Sequence, residues 1–140
     1  MVAAAVILPE KGIEERLYDS KKISPKKREE LCELILSKAS GVGIGIIGQE
    51  EIDLFNILQA TLKAMAMAIE NLPMPPDFIL IDGNQVLKVP LPQKPIRKGD
   101  QLSASIAAAS IVAKVKRDQL MIEWHQKYPH YNFAKHKGYG

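Results

Sequence analysis

Runs of apolar residues, broken at proline and glycine, divide this chain into alternating strand-like and helix-like segments. Val2 to Leu8 is a continuous apolar run ended by Pro9, the pattern of a buried strand. Ser24-Pro25 then sets a helix start, with a hydroxyl cap and a proline at the first helical position. Leu31, Leu34 and Ile35, with Cys32 beside them, recur at helical spacing, and Gly41 ends the helix. Val42 to Ile47 alternates glycine with Val and Ile. A phosphate-cradling loop needs a strand before it and a helix opening within it, and here a helix comes first. The stretch therefore reads as a glycine-rich strand.

Glu50 and Glu51 open a long helix, where acidic groups suit the positive end of the macrodipole. Its expected buried stripe is Leu54, Leu58, Leu62, Met65 and Ile69. Asn56 and Gln59, near its start, read as exposed or locally bonded to the backbone. After Pro73, Pro75 and Pro76 comes Phe78-Ile79-Leu80-Ile81-Asp82-Gly83-Asn84, whose apolar run predicts a strand buried on both faces. Asp82 falls at its carboxyl end, where ligands sit in open α/β sheets. Asp-Gly is equally a common turn pair. Gln85 to Pro95 reads as a short hairpin or extended segment. A further helix, rich in alanine over Ser103 to Val115, follows with Asp100 or Ser103 as its cap. Asp118 lies near one face of that helix, able either to approach Asp82 or to pair with Lys114.

Composition narrows the class. A length of 140 residues supports one domain and one sizeable core. No apolar run is long enough to span a bilayer, and no charged region precedes the first one as a secretory signal would require. The lone Cys32 rules out an internal disulfide framework and fits a reducing, cytoplasmic setting. The basic residues gather around Lys21–Arg28, Lys88–Lys98 and Lys114–Lys137, as solvated helix faces or as patches following a phosphate backbone. Trp124 to Gly140 interleaves aromatics with cations, which suits stacking on bases together with phosphate neutralisation, or a satellite core. His125, His130 and His136 fit no compact zinc spacing.

Five segments, in order, closely resemble bacterial ribonuclease HII, the type 2 ribonuclease H family. They are Asp19-Ser20-Lys21-Lys22, Asn56-Ile57-Leu58-Gln59-Ala60, Ile79 to Asn84, Lys98-Gly99-Asp100 with Ile106 to Asp118, and Ala134-Lys135-His136-Lys137-Gly138-Tyr139-Gly140. The resemblance covers essentially the whole chain as a single domain, 1–140. It implies a ribonuclease H-like α/β fold, a central mixed sheet flanked by helices. It also implies a monomeric endonuclease that cuts the RNA strand of an RNA–DNA hybrid, or 5′ of a ribonucleotide embedded in duplex DNA. Four carboxylates would hold two Mg²⁺ or Mn²⁺ ions, and two of them map onto Asp82 and Asp118. Tyr139 resembles the tyrosine that stacks on the sugar and helps sense the 2′-OH, and Ser20, Lys21 and Lys22 would lie near the substrate backbone.

Two departures go with the resemblance. The family opens with a strand carrying Gly-x-Asp-Glu and a Gly-Arg-Gly turn, and this chain starts at what looks like the family's second strand. Its end falls short of the family's closing helix. The expectation is an incomplete domain lacking a central first strand, with exposed strand edges, prone to aggregate and inactive by itself. A non-catalytic hybrid-binding fragment or pseudoenzyme is the alternative.

Overall fold

The computed structural model describes residues 1–9, 24–99 and 103–127. In chain order they form β1 (Val2–Ile7), α1 (Pro25–Lys38), β2 (Gly41–Ile46), α2 (Gln49–Glu70), β3 (Ile79–Asp82), β4 (Gln93–Ile96) and α3 (Ala104–Lys127). β1 pairs antiparallel with β2, from Val2 opposite Ile46 to Ile7 opposite Gly41. β3 pairs in parallel with β4, from Ile79 opposite Gln93 to Asp82 opposite Ile96. The pairing is thus mixed, as expected, and helices cover both sides. α1 and α3 pack on one face through Leu31, Ile35, Ala108, Ile111 and Val112, and α2 packs on the other through Ala60, Ala64 and Ala68.

Local chemistry explains each boundary. Ser24 accepts the Lys27 N–H (3.2 Å) as the cap of α1, with Pro25 in its first turn. The glycine-rich stretch is a strand, and its glycines have a packing reason. A Cβ on Gly43 would lie 2.1 Å from the Ala68 carbonyl oxygen, and one on Gly45 would lie 2.0 Å from that of Ala64. The backbone of α2 rests directly on this face of β2, so only alanine fits on the helix and only glycine on the strand.

That close approach corrects the expected face of α2. Leu54 and Leu58 are 78% and 51% exposed, whereas Ala60, Ala64 and Ala68 are fully buried. Leu62, Met65 and Ile69 pack against Ile79, Ile81 and Leu87 instead. Asn56 also interrupts the helix at φ 69°, ψ 168°, a region that costs a non-glycine residue of order 1–3 kcal/mol. Its Oδ1 accepts the Gln59 N–H (3.0 Å) and caps the second helical segment, the local backbone bond anticipated for this pair.

β3 also departs from expectation. Ile79 and Ile81 are buried, but Leu80 is 40% exposed and Phe78 52%. α3 lies mainly over β1 and covers little of β3, so only one face of this strand is packed. Of Gln85 to Pro95, read as a short hairpin or extended segment, residues 85–92 are a loop and Gln93 to Pro95 are the extended start of β4. The Gln93 side chain clamps the loop, accepting from the Leu87 N–H (2.6 Å) and donating to the Leu87 carbonyl (2.9 Å). α3 runs well past Val115 and takes in Trp124 to Lys127, the start of the aromatic tail.

Placing a methyl group at Gly45 is expected to cost about 3 kcal/mol, the upper end for overpacking, because the obstacle is helix backbone. At Gly48, where a Cβ meets nothing within 4 Å, the same change is expected to cost less than about 1 kcal/mol. Chemical denaturation of Gly45→Ala and Gly48→Ala measures both.

Candidate active site

Asp82 closes β3 at its carboxyl end, and Gly83 (φ 131°) turns the chain away immediately after it, a conformation that L side chains resist. The Gly99 N–H donates to Asp82 Oδ1 at 3.0 Å. Lys98, at φ 52°, supplies the reversal that aims this N–H. Gly99 is buried, and a Cβ there would sit 2.6 Å from Ile106 Cδ1 and 3.4 Å from Asp82 Oδ1. One carboxylate oxygen is therefore fixed by the Lys98-Gly99 turn, while the residue as a whole stays exposed and retains further lone pairs for a ligand.

The start of α3 resolves the choice of cap. Ser103 Oγ accepts the Ile106 N–H at 3.4 Å. Asp100 follows directly on Gly99 in sequence, and its own placement lies outside the described residues. Asp118 stands elsewhere. It is twelve residues beyond Ile106 on α3, about 18 Å along the helix axis at 1.5 Å per residue. Carboxylates that share an ion need to meet within a few ångströms, and this geometry does not bring Asp118 to Asp82. Asp118 Oδ1 is buried and has no hydrogen-bond partner among the described residues. Ser20, Lys21, Lys22 and Tyr139 lie outside the described residues.

Beside Asp82 runs a cavity of about 530 Å³. Its long walls are β1 and β3, and Met65 and Ile69 of α2 and Ala109 and Ala113 of α3 close its two faces. Cys32 takes no part. It is 4% exposed within the core under α1, and its thiol is pushed up by burial, reinforced by Glu33 and Glu29. A thiol held protonated in this way is a poor nucleophile.

The family model for ribonuclease HII matches residues 1–140. The chain belongs to the ribonuclease HII family. The ribonuclease HII of Geotalea uraniireducens is 56% identical over the whole chain, and that of Geobacter sulfurreducens 52% identical. The chain spans 65% and 64% of the length of these two relatives. Among solved structures, the ribonuclease H2 of Pyrococcus horikoshii superposes with a TM-score of 0.73 at 26% identity, covering 91% of this chain and 77% of that one. The ribonuclease HII in a PCNA complex from Archaeoglobus fulgidus aligns equally well (TM-score 0.73) at 24% identity, covering 91% of this chain and 68% of that one, a likeness of fold. The ribonuclease H-like mixed α/β architecture expected from the sequence is therefore the fold of the chain.

A hard divalent cation takes oxygen ligands. Asp82 suits that role, being exposed at a cavity with one oxygen already oriented. Among the described residues, however, no group of three or more His, Cys, Asp or Glu side chains gathers to hold an ion. Among the described residues, the candidate site consists of one oriented carboxylate, Asp82. No described helix is long and apolar enough to cross a membrane.

Asp82→Asn keeps an oxygen for the Gly99 N–H and is expected to leave stability within about 0.5 kcal/mol, whereas Asp82→Ala is expected to cost about 1–1.5 kcal/mol for the lost bond. Thermal melts of the two variants compare these directly. The raised Cys32 thiol sets a pH dependence. The unfolded chain releases the thiol proton first, so stability is expected to fall as pH rises above about 8.5 and approaches the higher folded value. Cys32→Ser is expected to lose that alkaline decline, as measured by denaturant midpoints between pH 7 and 10.

Proposed function

We propose that this chain carries part of the catalytic apparatus of an endonuclease that hydrolyses the RNA strand of RNA–DNA hybrids, or cuts 5′ of a ribonucleotide embedded in duplex DNA. The observation that carries the reading is Asp82, held by the Gly99 N–H at the carboxyl end of β3 beside an open cavity. Membership of the ribonuclease HII family supplies the reaction class.

In this reading Asp82 is a ligand of a divalent ion, Mg²⁺ or Mn²⁺, through the oxygen that Gly99 leaves free. When bound, a pair of such ions activates a water and stabilises the leaving oxygen of a phosphodiester. The protein's own contribution is positional. The Lys98-Gly99 turn fixes the rotation of the carboxylate, so no reorganisation is needed when a cation and a phosphate arrive.

The second carboxylate from this chain is Asp118 by resemblance, but the turn that grips Asp82 continues directly into Asp100. Ser103 caps α3, and Asp100 directly follows in sequence the Gly99 whose N–H holds Asp82. We therefore place the acidic partner at Asp100 and give Asp118 a role along α3. Lys21, Lys22 and Tyr139 are assigned to the nucleic acid, the lysines to phosphate charge and the tyrosine to the sugar carrying the 2′-OH. Among the described residues one carboxylate is oriented for an ion, and the 140-residue chain by itself is expected to be inactive. The protein acts as a monomer.

The test uses a duplex with a single ribonucleotide and Mn²⁺. The 140-residue chain is expected to cleave it at background rate. A chimera carrying the residues by which the Geotalea uraniireducens relative exceeds this chain is expected to cleave it. In that chimera, Asp82→Asn and Asp100→Asn are each expected to lower kcat by about 100-fold or more, several kcal/mol of barrier, and Asp118→Asn by less than about tenfold. Equal loss at Asp118 and none at Asp100 would reverse the assignment. Metal-independent binding of hybrid without cleavage by the chimera would instead favour a binding module.

A further inference from the structure

β4 runs parallel to β3 with Ile96 opposite Asp82, so the two strands end side by side and point the same way. The chain leaving β4 through Arg97, Lys98 and Gly99 passes beside Asp82, and the Gly99 N–H reaches its Oδ1 at 3.0 Å. The Lys98 Cα is two bonds from that nitrogen, about 2.4 Å away, which puts it within about 5.5 Å of the carboxylate oxygen.

The backbone of Lys98 is unusual for its residue type. At φ 52° it lies in the left-handed region, which crowds any residue that carries a Cβ and leaves glycine unhindered. Asparagine and aspartate ease that conformation with a short side chain that bonds the local backbone, and lysine has no such group. Packing does not offset the cost either, because Lys98 is exposed. The turn by itself is served better by glycine. What lysine adds at this position is a flexible four-carbon stem and a positive charge.

That charge has no partner within the described structure. Among the described residues Lys88, Lys94, Arg97 and Lys98 make no ion pair, although all four are exposed on or beside β4. Lys98 makes none even with Asp82, whose Oδ1 is taken by the Gly99 N–H. An unneutralised ammonium therefore stands at the rim of the candidate site, one residue from the backbone group that orients the carboxylate. A chain of phosphates meets such a rim at more than one point, with one phosphate at Asp82 and its neighbour at Lys98.

We infer that Lys98 is a substrate-contacting residue whose ammonium binds the backbone phosphate next to the one that is cut, with Arg97 adding to the same field. This rests on the endonuclease reading above and adds a contact which that reading leaves unassigned. A phosphate contact carries no base information, so Lys98 acts through charge and alike on every sequence.

The test follows by fluorescence anisotropy the binding of a labelled duplex with one ribonucleotide to the 140-residue chain, in EDTA, between about 50 and 200 mM salt. Lys98→Met keeps a Cβ in the turn and removes the charge, whereas Lys98→Gly removes the charge and relaxes the turn. Both are expected to weaken binding about five- to tenfold at the lower salt and to reduce the slope of log affinity against log salt by about one, as for one lost phosphate contact. Lys98→Arg is expected to bind within about twofold of the unaltered chain. Lys98→Gly is also expected to melt no lower than the unaltered chain, because a positive φ suits glycine, so its weaker binding cannot come from a damaged turn. Lys38→Met removes an exposed cation from the last turn of α1 and is expected to leave the slope unchanged. An unchanged slope in Lys98→Met and Lys98→Gly, an equal fall in Lys38→Met, or no binding by the unaltered chain overturns the inference. The chimera separates it from the endonuclease reading. Cleavage with an unchanged KM in Lys98→Met overturns the contact and leaves that reading standing, whereas Lys98-dependent binding without cleavage does the reverse.

Discussion

A β-strand has two hydrogen-bonding edges, and among the described residues β1 and β3 each satisfy one of them. The helices are arranged around that fact. α2 lies across one face, pressed onto the glycines of β2, while α1 and α3 lie across the other, so the unpaired edges look into a covered slot rather than into open solvent. The sheet is held as two separate ladders that share helices rather than hydrogen bonds. The apolar core supplies the cohesion that a continuous sheet would otherwise share. Asp82 sits where this divided sheet meets the Lys98-Gly99 turn, so the architecture and the chemistry meet at one residue.

The functional reading depends on orientation more than on inventory. Acidic residues are common along this chain, but among the described residues Asp82 is the one whose oxygen is fixed by a backbone N–H at a strand's carboxyl end, beside a cavity. A ligand carboxylate that is already oriented loses little freedom when it captures an ion, the ordinary requirement of a preorganised site. In the proposed function, membership of the ribonuclease HII family supplies the reaction class for such a site.

Much of this was legible from the amino-acid order. Apolar runs and capping residues located β1, α1, β2 and β3, and the Gly-x-Gly-x-Gly string was read as a strand because a helix precedes it. Packing choices were less legible. Leu54 and Leu58 look like core residues at helical spacing, yet the glycine face of β2 selects alanines, a preference that exists only once the two backbones meet. Phe78 to Ile81 reads as doubly buried, but what covers a strand depends on its neighbours and not on its own composition. The spacing of Asp118 along α3 is helical, but its distance from Asp82 depends on where the helix begins, which Gly99 and Ile106 reveal only in three dimensions.

The central claim is that Asp82, gripped by Gly99, is the carboxylate that receives a divalent ion. Paramagnetic broadening by Mn²⁺ in the NMR spectrum of the 140-residue chain tests it without requiring turnover. The Gly83 and Gly99 amides are predicted to broaden first, at the lowest Mn²⁺ concentrations, and Asp82→Asn is predicted to abolish the effect. Broadening centred on the amides around Asp118, with Gly83 and Gly99 unchanged, would contradict the account.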